Sequence, residues 1–87
     1  MQSRLRLIDF DDLQILRCLF FGGCVSECAR VLGVTQPAVT LRMRKLEGVF
    51  DGKLIEKNGR RAVLTPHGIK VAMLANAALK ILETPIQ

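Results

Sequence analysis

Residues 33–50, GVTQPAVTLRMRKLEGVF, constrain the fold of this 87-residue chain more than any other stretch. Thr35 is a hydroxyl residue placed to bond a free backbone N–H at a helix start, and Pro37 falls inside the first turn, where no intrahelical N–H partner is lost. Beyond the proline, Val39, Met43, Leu46 and Phe50 recur at i, i+4, i+7 and i+11, one face of a helix running to about Phe50. Gly48 and Gly52 weaken its end. The opposite face carries Pro37, Thr40, Leu41, Arg44 and Gly48. A leucine in the middle of a cationic, outward face is not explained by core packing.

The residues before this helix predict a partner for it. ECARVL (27–32) reads as a short helix with Ser26 as its N-cap, and Gly33-Val34-Thr35 as a tight turn. A short helix, a glycine-containing turn and a helix with a polar outer face form the helix-turn-helix pattern. Upstream, DFDDLQILRCLFF (9–21) reads as a first helix, its acidic first turn suited to the positive end of the helix dipole. Phe10, Leu13, Leu16 and Phe20 make one apolar stripe, which Ile15, Cys18 and Leu19 widen. So broad a surface predicts contact with two bodies. Gly22-Gly23 ends this helix.

Downstream, KLIEKNGRRAVL (53–64) holds two short apolar runs around Asn58-Gly59, a pair that tolerates positive φ and predicts a β-hairpin. Its tip crowds Lys57, Arg60 and Arg61. A purely structural hairpin has no use for that repulsion, whereas one that touches a phosphate backbone or a narrow minor groove does. Thr65 and Pro66 open a last helix, to about Glu83, that carries no charge from Val71 to Leu79. It is too short to span a membrane. Ile69, Met73, Asn76 and Leu79 form one side of it, and Val71, Leu74, Ala78, Ile81 and Leu82 much of another. A helix apolar nearly all round is buried on both sides, so one side packs on the domain and the other on a partner chain. Asn76 among apolar neighbours resembles the polar residue that fixes register in helix pairs, and the sequence equally allows it an exposed position.

Charge narrows the function. The chain carries 13 Lys and Arg against 8 Asp and Glu, a net charge of +5. Residues 1–33 and 71–87 are each balanced, so the whole excess lies in 34–70, where a polyanion is the natural partner. Nothing resembles a signal peptide, and no apolar run approaches the about 18 residues of a spanning helix, which predicts a cytoplasmic protein. Cys18, Cys24 and Cys28 are an odd set without a CxxC spacing; they read as small buried apolar residues in a reducing compartment rather than as a disulfide, redox or metal site. His67 is the only histidine, and no nucleophile–base pair, metal cluster or phosphate loop is present, so the sequence reads as no enzyme, with no cofactor and no metal.

The order helix, helix-turn-helix, basic hairpin, long apolar helix predicts a mainly α, winged helix-turn-helix fold: three helices, a two-stranded wing, then a long C-terminal linker or dimerisation helix. CARVLGVTQPAVTLRMRKLE followed by LIEKNGRRAVLTPHG resembles the N-terminal DNA-binding domain of LysR-type transcriptional regulators. The resemblance covers roughly residues 8–83. Gln36-Pro37-Ala38 in register with Leu46-Glu47, and Leu64-Thr65 with Gly68, make it specific.

That resemblance implies a bacterial, sequence-specific DNA-binding domain at 1–65. It implies a linker and dimerisation helix at 66–87, ending where the connection to an effector-binding domain would begin. The implied partners are double-stranded DNA, bound at an interrupted dyad, and a second copy of the chain, with tetramers open to a full-length protein and no membrane. Helix 36–50 would enter the major groove and the 57–61 wing would lie at the minor groove. Gln36, Pro37, Thr40, Leu41 and Arg44 are then expected to face bases, and Thr35, Arg42, Lys45, Lys53, Lys57, Arg60 and Arg61 to meet phosphates or form the wing contact. Ile69, Met73, Asn76, Leu79 and Leu82 are expected to pair the helices. Leu41 departs from the family, many of whose members carry arginine or another polar residue there; a leucine cannot hydrogen-bond a base but can pack on the thymine methyl. A protein-interaction module with a basic surface for an acidic partner is the rival reading from a different class, and another winged-helix family is the nearer one.

Overall fold

The computed structural model describes residues 3–86. A 3-10 turn (Ser3–Leu7) precedes α1 (Phe10–Gly22), α2 (Val25–Leu32) and α3 (Gln36–Val49). The hairpin follows as β1 (Ile55–Asn58) and β2 (Arg61–Leu64), and α4 (Pro66–Leu82) ends the fold. This is the expected winged helix-turn-helix, with a two-stranded antiparallel wing. No helix among the described residues is long and apolar enough to cross a membrane.

Local chemistry sets most boundaries. Asp9 and Asp12 cap α1 reciprocally: the Asp12 N–H donates to the Asp9 carboxylate (2.8 Å), and the Asp9 N–H to Asp12 (3.0 Å). Thr35 caps α3 by accepting from the Ala38 N–H (3.2 Å). The Thr65 hydroxyl accepts from the Gly68 N–H (2.9 Å) and donates to the Lys53 carbonyl (2.6 Å), so the cap of α4 also ties it to the base of the wing. Pro37 and Pro66 lie in first turns.

Two boundaries differ from expectation. Helix α2 begins at Val25, with Cys24 rather than Ser26 at the N-cap and no side-chain cap bond. Burial of Val25 and the sharp corner at Gly23 (φ 90°) start this helix, so no capping hydroxyl is needed. In the hairpin, Asn58 still pairs with Arg61, and the two-residue loop is Gly59-Arg60, with the positive φ (65°) on Gly59. Register decides this: the Ile55–Leu64 pair puts both side chains in the core, and a one-residue slip would turn both to solvent.

The core lies between the helices and the inner face of the wing. The predicted inner face of α3 is there, with Val39, Met43 and Leu46 fully buried. Helix α1 is central and packs on α2, α3 and α4, which accounts for its broad apolar surface. Its deepest residues are Ile15, Leu16 and Leu19, while Phe10 is half exposed. Cys24 and Cys28 are buried and Cys18 partly so, all three as free thiols. Burial first, then the hydrogen bond with Cys18, pushes the Cys28 thiol up to about 12, so it behaves as a small apolar filler. The Nε2–H of His67 donates to the Phe50 carbonyl (2.9 Å), joining α4 to the end of α3.

Helix α4 presents Gly68, Val71, Ala72, Ala75 and Leu79 to this core. Leu79 was expected on the pairing side and is corrected here: it is fully buried and continues the i, i+3, i+4, i+7, i+11 row that begins at Gly68. On the free side Ile69 and Met73 are exposed, joined by Leu74 and Ile81, while Leu82 is exposed at the end of the inner row, three residues beyond Leu79.

Three carboxylates are held below their ordinary range. The Arg42 guanidinium and then the Asp12 N–H lower Asp9, and the Arg17 guanidinium lowers Glu83. For Glu47 burial pushes upward, but the Leu54 N–H and Arg44 together outweigh it. A carboxylate more acidic in the folded state stabilises it above the unfolded range, and that contribution disappears as pH falls through the folded values. The urea midpoint is therefore expected to stay level near neutrality and to fall below about pH 4; a midpoint unchanged down to pH 3 would contradict these contacts.

Candidate nucleic-acid interface

The outer surface of α3 and the wing enclose one open groove of about 310 Å³. On the helix side Gln36, Thr40 and Arg44 stand four residues apart and form a ridge. On the wing side are Lys53, Lys57, Arg60 and Arg61, and Ser26 closes the α2 end. Seven of the twelve residues expected to contact nucleic acid are thus brought together, although Lys53, the nearest residue of the second wall, stands nine positions after Arg44. Pro37 is exposed at the start of α3, with the capping residue Thr35 just ahead of it.

The helix is aimed outward by its surroundings. Gly33, in the left-handed conformation, closes α2, and the Val34 N–H donates to the Ala29 carbonyl (3.0 Å). The Arg4 side chain donates to the Gly48 carbonyl at the far end of α3 (3.1 Å). The wing is tied back to α2 by Arg61, whose Nη2 lies 3.1 Å from Glu27 Oε1, an oxygen that also accepts from the Cys24 thiol (3.2 Å). Arg44 bonds Glu47 (3.0 Å), and Glu47 in turn accepts from the Leu54 N–H (2.9 Å) at the foot of the wing.

Arg42 and Lys45 are placed differently from the other cations. Arg42 Nη1 lies 2.8 Å from Asp9 Oδ1 and 2.9 Å from Asp12 Oδ1, and its Nη2 is 3.6 Å from Asp11. Lys45 pairs with the other Asp12 oxygen. Asp12 is fully buried, so these ion pairs fasten α3 to the start of α1. The hydrogen bonds to Asp9 and then Asp12 raise the Arg42 pKa. Both residues were expected to flank the helix toward phosphates; instead they satisfy carboxylates of their own chain. The sequence reading missed this cluster because it assigned Asp9, Asp11 and Asp12 to the helix dipole alone. The Asp-x-x-Asp spacing was the available signal for the cap.

Of the expected pairing residues, Ile69 and Met73 lie on the exposed side of α4, and Leu82, in line with the buried row, is exposed in the last turn. Asn76 is half buried at a shallow trough shared with Gln14, Phe21 and Lys80. Leu74 and Ile81, read as part of the opposite side, extend the exposed strip.

Comparison with known proteins matches residues 10–69 to the family described as bacterial regulatory helix-turn-helix protein, lysR family. A probable RuBisCO transcriptional regulator of Trichormus variabilis is 40% identical over 73 residues, covering 84% of this chain and 21% of that protein. The HTH-type transcriptional regulator CzcR of Bacillus subtilis is 29% identical over 76 residues, 87% of this chain and 26% of that one. The chain thus spans about a fifth to a quarter of the length of these relatives. Among solved structures, the CbnR_DBD–DNA complex superimposes with a TM-score of 0.76 at 27% identity, covering 86% of each chain.

Proposed function

The chain belongs to the lysR family of bacterial regulatory helix-turn-helix proteins, and from that premise we propose that it binds DNA sequence-specifically, as the DNA-binding part of a transcriptional regulator rather than as an enzyme. The observation that carries this reading is the groove in which the Gln36–Thr40–Arg44 ridge faces the wing cations. With α3 in the major groove, Gln36 and Arg44 reach base edges, where a bidentate glutamine–adenine or arginine–guanine pair discriminates by ~1–3 kcal/mol. Lys53, Lys57 and Arg60 then meet phosphates, with the wing tip at the neighbouring minor groove. Arg61 holds the wing against α2 and contributes through that position.

The exposed residues Ile69, Met73, Leu74 and Ile81, with Leu82 in the last turn, support pairing of two chains along α4. Two domains so joined present half-sites separated by about one helical turn, roughly 10 bp, on an interrupted dyad.

Titration of the chain against a random-sequence duplex, followed by fluorescence anisotropy at several salt concentrations, tests the reading. The log of the binding constant is expected to fall linearly with log salt, by about 0.9 for each phosphate neutralised. Arg60→Ala is expected to weaken binding to all sequences alike and to reduce that slope by about one contact. Binding indifferent to salt would overturn the DNA reading.

A further inference from the structure

We propose that the side of α3 turned away from the wing reads thymine, by contact of Leu41 and Ala38 with the 5-methyl group in the major groove. This rests on the DNA-binding reading above and assigns the base chemistry of its second flank.

The outer surface of α3 has two edges. The wing-side edge, Gln36, Thr40 and Arg44, is polar. The other is formed by Ala38, Leu41, Arg42 and Lys45, with Asp9 beside them and Arg44 at the boundary. Every polar group on this second edge is already engaged. Arg42 spans Asp9 and Asp12, and Lys45 holds the second Asp12 oxygen. Asp12 is fully buried and has no water to turn to, so withdrawing either cation toward a base leaves a buried carboxylate undercompensated. The Asp9 carboxylate accepts from both Arg42 and the Asp12 N–H, which leaves it poorly placed to accept from a cytosine amine. Arg44, at the boundary, belongs to the wing-side ridge.

What remains for a base on this edge is apolar. Leu41 is 73% exposed, the most exposed large apolar side chain of α3, and it contributes nothing to the core. It stands one helical turn beyond Ala38 on the same edge. Among the four bases, only thymine shows an apolar group in the major groove. The ion pairs therefore do more than fasten the helix: by occupying Arg42 and Lys45 they leave this edge to methyl recognition.

Sites bound by the 87-residue chain are first selected from a random DNA library. Each thymine of the best site is then replaced singly by uracil, which removes the methyl group and nothing else. One thymine in each half-site is expected to weaken binding about fourfold on replacement, the effect of burying one such group. Leu41→Ala, a change at an exposed position, is expected to bind the thymine and uracil sites alike. Selection of a site whose binding shows no uracil effect, or the same effect in Leu41→Ala, overturns this inference and leaves DNA binding standing. Failure to select any site, with binding indifferent to salt, overturns both.

Discussion

Gly68→Ala is expected to destabilise the domain by about 3 kcal/mol or more, the upper range for a group forced into a packed interior. Helix propensity alone predicts the opposite sign, a gain of about 1 kcal/mol for alanine over glycine inside a helix. The difference is a close approach of backbones. A β-carbon on Gly68 would sit 2.1 Å from the Leu54 carbonyl oxygen and 3.0 Å from its carbon, with Leu64 Cδ2 at 3.1 Å. The Leu54 carbonyl cannot swing aside, because it accepts from the Thr65 N–H (2.9 Å) where the wing meets α4. Urea unfolding of the two chains side by side decides the matter. An alanine variant as stable as the parent would mean that α4 does not lie against the wing as described.

Asp12→Ala is expected to cost about 2–3 kcal/mol. Removing one partner of a fully buried ion pair typically costs about 3–5 kcal/mol, and the effect is smaller here because Arg42 and Lys45 keep a third of their side-chain surface in water. The variant also loses half of the reciprocal cap of α1. Asp12→Asn, which keeps the cap acceptor, should lose less. By contrast Glu83→Ala, which breaks only the exposed pair with Arg17, should change stability little. Equal urea midpoints for the Asp12 and Glu83 variants would show that the cluster at α1 does not fasten α3. Asp12→Ala also frees Lys45, while Arg42 keeps Asp9, so its binding to random DNA should become steeper in salt than that of the parent.

The features legible in the sequence were those decided within a few residues. Thr35 with Pro37 and Thr65 with Pro66 start α3 and α4 as expected, because a cap bond reaches only three residues ahead. The row Val39, Met43, Leu46 is buried as its spacing requires. The hairpin was legible too, but its loop was placed one residue early: the Asn58-Gly59 pair signals a turn, while burial of Ile55 and Leu64 fixes which residues occupy it. Helix α4 was harder, since a helix apolar nearly all round carries no mark of its inner side. Leu79 was therefore assigned outward, and Leu74 and Ile81 away from the exposed strip they belong to.

The candidate interface divides the same way. Sequence alone determined that 34–70 holds the whole cationic excess and that Leu41 stands on the outer face of α3. It also placed Lys57, Arg60 and Arg61 around the tip of the hairpin. Only the tertiary structure decided which of these charges are available. Arg42 and Lys45 look like Arg44 and Lys53 in the sequence, but carboxylates thirty or more residues away close on them. An ion pair forms within about 4 Å, a distance that chain folding sets and local sequence does not record. For the same reason the sequence could name Leu41 as unusual, while the occupied cations beside it, visible only in the fold, give that leucine a specific chemistry to read.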